Sequence, residues 1–370
     1  MSYNHHLGSL SWDPSSVDAD HPVALANQEN RGYQVAIGDL GEIGLGSQFT
    51  GNQAACYLGT KDHPHLARCN PRFVFDNLDL DRLITATINR EWLRDEHEPR
   101  RGILLMGPTG AGKTTYLRER LARQGIPAVE ITWRPDMDAV DAIYTRELVG
   151  GDIFFTPAAI QLAAKGGYPV IINEIDMARP GQLVALNEII DTGKIVIPET
   201  GETIEARRGF MVFATCNSSF TEDRTGAYAG ARSQNVSVLN RFFKFQFGYP
   251  NEEQETDFIM SHFPQIPADM AKKYAWFVTM VRAASNPLSS GLRFTTLGIR
   301  RVGLEFSRRN LLDWLNLAET FAYLENRQVN VPKYALGPVF TAGLPDDERA
   351  TVEHLLDIAF DIVVEHVEAA

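Results

Sequence analysis

Residues 107–114 read Gly-Pro-Thr-Gly-Ala-Gly-Lys-Thr, a complete G-x-x-x-x-G-K-[ST] run. Nothing else in the chain restricts its fold as strongly, because such a run works only as a turn between a buried strand and a helix. Its glycines let the backbone wrap closely enough for N–H groups to hold phosphate oxygens. Lys113 supplies a point charge for the β and γ phosphates, and Thr114 a hydroxyl for Mg²⁺. The context is right: residues 102–106 are apolar, and residues 113 to about 124 have helical spacing that would aim a positive helix end at the anion. With glycine at about 7% of residues, a chance match in a chain this long is on the order of one in a hundred. The cradle is therefore assigned to Gly107, Pro108, Thr109, Gly110, Ala111, Gly112, Lys113, Thr114 and Thr115, with ATP and Mg²⁺ as the expected occupants.

The surrounding pattern predicts an α/β fold. Apolar runs at 102–106, 128–132, 170–173 and 210–214 alternate with helical stretches, the signature of a parallel sheet covered on both faces. With 370 residues, two or three domains are expected. Residues 1–75 are rich in Gly, His, Asn and Asp and read as an irregular or partly β segment. Residues 76–250 carry the sheet. From 251 to 370 helical spacing takes over, with Leu311, Leu315, Ala318 and Ala322 on one helix face and Val352, Leu355, Leu356, Ala359 and Val363 on another.

A second chemical signal follows the loop by about sixty residues. Val170-Ile171-Ile172-Asn173-Glu174 ends an apolar run where phosphate-loop enzymes place an acid for Mg²⁺ and a glutamate that activates water. Asn173 stands in the acid's place; its amide can hydrogen-bond a metal-bound water but adds no charge. Weak Mg²⁺ retention and slow hydrolysis are the expectation, with Glu174 as general base. The alternative, that the pair merely caps a strand end, loses weight behind a complete phosphate loop. Further on, Phe210-Met211-Val212-Phe213-Ala214-Thr215-Cys216-Asn217 is an apolar run with a polar tip, and Leu239-Asn240-Arg241-Phe242 offers an arginine.

These motifs, in this order, resemble AAA+ ATPases. Within them the chain is similar to the MoxR-like group, above all to the CobS subunits of cobaltochelatase. That family shows D-E-x-D-x-x-R-P where this chain has Asn173-Glu174-Ile175-Asp176-Met177-Ala178-Arg179-Pro180. It shows T-G-x-Y-x-G where this chain has Thr225-Gly226-Ala227-Tyr228-Ala229-Gly230, and the entry run Asn70-Pro71-Arg72-Phe73-Val74-Phe75-Asp76 is also similar. The resemblance covers roughly residues 70–250 and the C-terminal helices loosely. It implies a P-loop AAA+ core followed by an all-α lid domain. It implies that Asn217 positions the attacking water and that Arg241 serves the ATP of a neighbouring subunit. It further implies a ring, commonly a hexamer, and a client protein, often one with a von Willebrand factor A domain. Two inserts recur in such proteins. A hairpin fits 193–196 and 203–206 around a 198–201 turn. Another insert fits 134–156; its Phe154-Phe155 pair is expected in the core, with client or pore contact as the alternative. One departure is Leu297, in Thr295-Thr296-Leu297-Gly298, where relatives place a sensor 2 arginine; Arg293, Arg300 and Arg301 are the substitutes at hand.

Composition narrows the classes. A net charge of −12 disfavours a nucleic-acid backbone as partner. Three cysteines, Cys56, Cys69 and Cys216, make no disulfide framework. No run approaches the ~18 apolar residues of a membrane helix, and Met1 to Pro14 lacks an apolar signal core, so a cytoplasmic location is expected. His63-Pro64-His65 with Cys56 and Cys69 follows no metal-ligand spacing. The reading is an ATPase that remodels or activates a partner. An ATP-switched scaffold with little hydrolysis and a DNA-directed AAA+ motor are the alternatives.

Overall fold

In a computed structural model, the described residues are 32–75, 77–94, 98–179, 181–217, 236–285, 302–327 and 329–360. They fall into two units, one of residues 1–107 and 113–247, the other of 108–112 and 248–370. The calls on the Thr225–Gly230 run, on Leu297, Arg293, Arg300 and Arg301, and on Val363 lie outside the described residues.

The first unit begins with an antiparallel pair, β1 (Gln34–Asp39) and β2 (Gln53–Leu58), followed by α1 (Leu78–Leu93). Next come β3 (Gly102–Met106), α2 (Lys113–Arg123), β4 (Val129–Thr132), the hairpin β5 (Tyr144–Val149) and β6 (Asp152–Pro157), and α3 (Ala159–Gly166). Then follow β7 (Val170–Asn173), α4 (Leu186–Thr192), the hairpin β8 (Lys194–Ile197) and β9 (Glu202–Glu205), β10 (Val212–Cys216), α5 (Val236–Leu239) and β11 (Phe242–Gln246). Five strands form one parallel sheet in the order β11-β3-β10-β7-β4. Its three inner strands are almost wholly buried, while the edge strands β4 and β11 each keep partly or fully exposed residues. This is why the inner runs read as continuously apolar and β11, with its alternating Phe-Phe-Lys-Phe-Gln, did not.

The expected strand at 210–214 is corrected: it starts at Val212 and runs to Cys216. Phe210 and Met211 are apolar because they are buried in the turn after Gly209, where the Phe210 N–H donates to the Arg207 carbonyl at 3.2 Å. The β8–β9 hairpin falls where the turn signals put it, closed by the Gly201 N–H on the Ile197 carbonyl at 2.9 Å. Core placement of Phe154 is overturned. That ring is 53% exposed, and Leu148 and Ile153 beside it are 73% and 61% exposed. A two-stranded ribbon has no covering layer, so its apolar side chains stay in solvent. Phe155 is half-buried, edge-on to Tyr144 with ring centroids 5.6 Å apart. Glu199, on the β8–β9 turn, takes the Tyr144 hydroxyl and pairs with Arg146, tying the two hairpins together.

The second unit is helical: α6 (Glu252–His262), α7 (Ala268–Ser285), α8 (Arg308–Thr320), α9 (Val331–Val339) and α10 (Asp346–Ala359). Asn251 caps α6 reciprocally with Gln254, and Ser307 caps α8 with Asn310. Its core gathers Tyr274, Phe277 and Phe306 around the buried Trp314. Leu311, Leu315 and Ala318 face that core, as expected. Ala322 does not: α8 stops at Thr320, and Ala322 is exposed in a following 3₁₀ turn. Val352, Leu355 and Leu356 are buried on α10. No described helix is long and apolar enough to cross a membrane.

In the first unit, a largely buried polar network binds α2 to α1 and, through Gln124, to the N-terminal hairpin. Arg120 pairs with Asp81, donates to Thr85 at 2.8 Å and meets Gln124, whose amide donates to the Ala55 carbonyl at 2.7 Å. Removing one member strands a buried charge. Asp81→Ala is expected to cost about 3–5 kcal/mol, read as a large fall in thermal midpoint by circular dichroism. The double change Asp81→Leu with Arg120→Met should recover most of that loss.

Candidate functional site

Parallel pairing decides which residues meet. β3, β10 and β7 are neighbours running the same way, so the segments leaving their C-terminal ends lie side by side. Those segments carry the loop at 107–114, Asn217, and Asn173-Glu174. The Lys113 ammonium, 6% exposed, donates to the Asn217 Oδ1 at 3.0 Å and to the Gly107 carbonyl at 2.8 Å. The Thr114 hydroxyl donates to the Asn173 Oδ1 at 2.6 Å. The adjacent Lys113 and Thr114 are thus brought against Asn217 and Asn173, both distant in sequence.

Glycine is required at two loop positions for different reasons. A Cβ on Gly107 would sit 1.9 Å from the Phe247 carbonyl oxygen, so only a bare backbone passes there. Gly112 has open space but a φ of +100°, which other residues adopt only under strain. The loop's middle, Pro108–Gly112, groups with the second unit. Within that unit the Tyr249 hydroxyl donates to the Thr109 carbonyl at 2.7 Å, and the Arg308 N–H to the Gly110 carbonyl at 3.2 Å. These bonds occupy two carbonyls of the turn. Ala111 is buried, while Thr109 and Thr115 are exposed.

Glu174 is the only non-glycine residue with positive φ among the described residues, at φ 55° and ψ 42°. Such a conformation costs about 1–3 kcal/mol and persists where the surroundings impose it. Here the Glu174 N–H reaches the Thr215 hydroxyl at 3.4 Å, and its side chain stays exposed at the strand end. Thr215 in turn donates to the Asn173 Oδ1 at 3.2 Å. Asn173 therefore receives two hydroxyls on one oxygen, as a carboxylate would, without carrying charge. Asp176, 2% exposed, accepts the Asn217 N–H at 3.0 Å.

Thr215 and Asp176 were not picked as site residues. Thr215 looks like one more strand residue; only the register, with Ala214 opposite Ile172, turns its side chain toward Asn173. Asp176 had a signal in its position within the Asn173–Pro180 run, but nothing local assigned it a partner.

Thr114 and Asn173 present oxygen donors 2.6 Å apart, the donor type and spacing that suit a hard divalent cation retaining most of its waters. Thr114 would touch Mg²⁺ directly and Asn173 would hold a coordinated water. Arg241 lies elsewhere. It immediately precedes β11, whose Phe242 is opposite Gly102 and Gln246 opposite Met106. The arginine is therefore at the N-terminal edge of the sheet, and the phosphate loop leaves the C-terminal edge, about 13 Å or more away at ~3.3 Å per residue.

Residues 102–227 match the family model described as the AAA domain, dynein-related subfamily. Protein NorQ of Paracoccus denitrificans is 30% identical over 42% of this chain and 56% of its own length. Midasin of Giardia intestinalis is 28% identical over 43% of this chain but only 3% of midasin. An uncharacterised protein of Staphylococcus saprophyticus is 33% identical over 43% of this chain and 60% of that protein. The chain thus spans under two thirds of the length of these relatives. The matched segment runs from β3 past Asn217, the part of the chain that holds the loop and the three converging strand ends. Over residues 102–227, about a third of its length, the chain is thus similar to the AAA domain of the dynein-related subfamily, and the strand order built above suits that match.

Proposed function

We propose that this chain hydrolyses ATP at Lys113, Thr114, Asn173, Glu174 and Asn217, in a site that a second copy completes, and uses the cycle to remodel or activate a partner protein. The observation that carries the reading is the convergence of three strand ends. It puts an ammonium against a polar amide at 3.0 Å and a hydroxyl against a second amide at 2.6 Å, with an exposed carboxylate next door. Lys113 holds the β and γ phosphates and Asn217 fixes that ammonium on one side. Mg²⁺, when bound, offsets charge on the phosphate oxygens. Glu174 accepts a proton from water as the water oxygen bonds the γ phosphorus and the bond to the bridging oxygen breaks.

Arg241 supports the shared site. It lies too far from its own loop to touch the same phosphate, yet an arginine in trans would neutralise charge in the transition state. A ring, of which a hexamer is the common form, brings such edges together. The exposed apolar tip of the β5–β6 hairpin is the surface best suited to a client, and the family resemblance points to a von Willebrand factor A domain protein as one class. A second reading rests on Asn173: with the charge missing, nucleotide binding would act as a switch and turnover would be slow.

Lys113→Ala is expected to abolish binding of a fluorescent ATP analogue while the circular dichroism spectrum is kept. Arg241→Ala subunits titrated into wild type should lower ATPase activity more steeply than their fraction; a strictly proportional loss would remove the shared site. Asn173→Asp separates the two readings. A strong rise in turnover with unchanged assembly marks the wild type as a slow switch, and a fall marks the amide as part of a working site. Thr215→Val should reduce kcat on the order of tenfold with little change in nucleotide affinity, since it frees Asn173 and Glu174 without touching the phosphates.

A further inference from the structure

We infer that Asp191 is a positioning residue for Arg241, holding that guanidinium in the pose a neighbouring subunit's triphosphate requires. The inference rests on the trans reading of Arg241 given above. Asp191 Oδ2 accepts from Arg241 Nε at 2.7 Å, and Arg241 Nη1 donates to the Ser237 carbonyl at 2.5 Å. Nη2 has no partner among the described residues, so it is the nitrogen left to face a phosphate.

The grip has a second point. Asn187 and Asp191 are four apart on α4 and so share a helix face, while Ser237 lies on α5 and Arg241 two residues past its end. The Asn187 amide donates to the Ser237 hydroxyl at 3.2 Å while Asp191 takes Arg241, so one helix clamps the segment at both ends. A guanidinium with four rotatable bonds is ordinarily mobile at a surface. Two fixed nitrogens and a clamped backbone remove most of that freedom before any nucleotide arrives.

The charge balance suits a polyphosphate. Arg101 Nη1 lies 3.6 Å from the other Asp191 oxygen. Two guanidiniums share one carboxylate, and all three side chains are between a quarter and about a third exposed. The patch keeps one net positive charge in reach of solvent. A lone Asp–Arg pair would have neutralised the group it was positioning. The backbone adds to the rigidity: the Asp191 carbonyl accepts the Arg100 N–H at 2.8 Å, which pins the end of α4 to the approach to β3. Beyond Asp191 the chain turns at Gly193 into the β8–β9 hairpin, so the carboxylate sits at the root of that hairpin.

The test uses directional mixing of full-length subunits with MgATP. Recipients carry Arg241→Ala: their loops are intact but they offer no arginine. Donors carry Lys113→Ala: they turn over nothing but offer Arg241. Donor addition should restore ATPase activity to recipients. Donors carrying Lys113→Ala together with Asp191→Asn should restore at least fivefold less kcat at unchanged KM, and Asp191→Glu donors should regain part of it. Asp191→Asn used as the nucleotide-binding subunit, beside a neighbour with native Asp191 and Arg241, should turn over normally. A general structural role would harm both directions alike. Equal rescue by donors with native Asp191 and donors carrying Asp191→Asn, or equal loss in both directions, overturns the inference while leaving the shared site standing. If donors with native Asp191 restore nothing, the trans reading itself fails and takes this inference with it.

Discussion

The Lys113 ammonium is the constraint on which the site depends. It is a charge held at 6% exposure, and it stays there because the Gly107 carbonyl and the Asn217 amide oxygen accept its protons. Such a group tolerates few alternatives, since a buried ammonium without acceptors would be strongly disfavoured. The Gly107 carbonyl is available because the backbone passes the Phe247 carbonyl with no side chain between them, and Asn217 because β10 lies directly beside β3. Loop, strand order and glycine are therefore one arrangement seen from three sides.

The same sheet separates two groups of polar residues by its direction. Its C-terminal edge gathers the phosphate loop, Asn173, Glu174 and Asn217. Its N-terminal edge presents Arg241 and Arg101 about one carboxylate, Asp191. A parallel sheet has two distinct ends, so the Lys113 loop and the Arg241 guanidinium sit at opposite edges without meeting. The hairpins extend from this frame. β8–β9 grows from the helix that bears Asp191, and Glu199 at its turn reaches Tyr144 and Arg146 at the base of the exposed β5–β6 ribbon. The β8–β9 hairpin thus links the base of the exposed ribbon to the helix that holds the arginine.

At Asn173 the hydrogen-bond geometry of an acid is retained without its charge: one oxygen takes hydroxyls from Thr114 and Thr215. The strained backbone of Glu174 beside it is held by that same Thr215. Thr215 thus links the Asn173 amide to the Glu174 backbone.

Much of this was legible in the residues. The glycine-lysine run announced a strand, a turn and a helix because all its determinants are contiguous, and the inner strands announced themselves because burial on both faces leaves few polar positions. β11 was missed because an edge strand alternates, and Phe154 was misplaced because an apolar residue in an uncovered ribbon looks like one in a core. The strand at 210–214 slid by two residues because burial, and not pairing, made Phe210 and Met211 apolar. By itself the sequence determined the loop, the amide in the acid's place and the order of the motifs, since each is a local string whose chemistry travels with it. Only the tertiary structure decided that Thr215 faces Asn173, that Asp176 holds the Asn217 backbone and that Asp191 grips Arg241. Those pairings lie some 40 to 50 residues apart in the chain. They depend on which strands are neighbours and in what register, a choice made by the packing of the whole sheet.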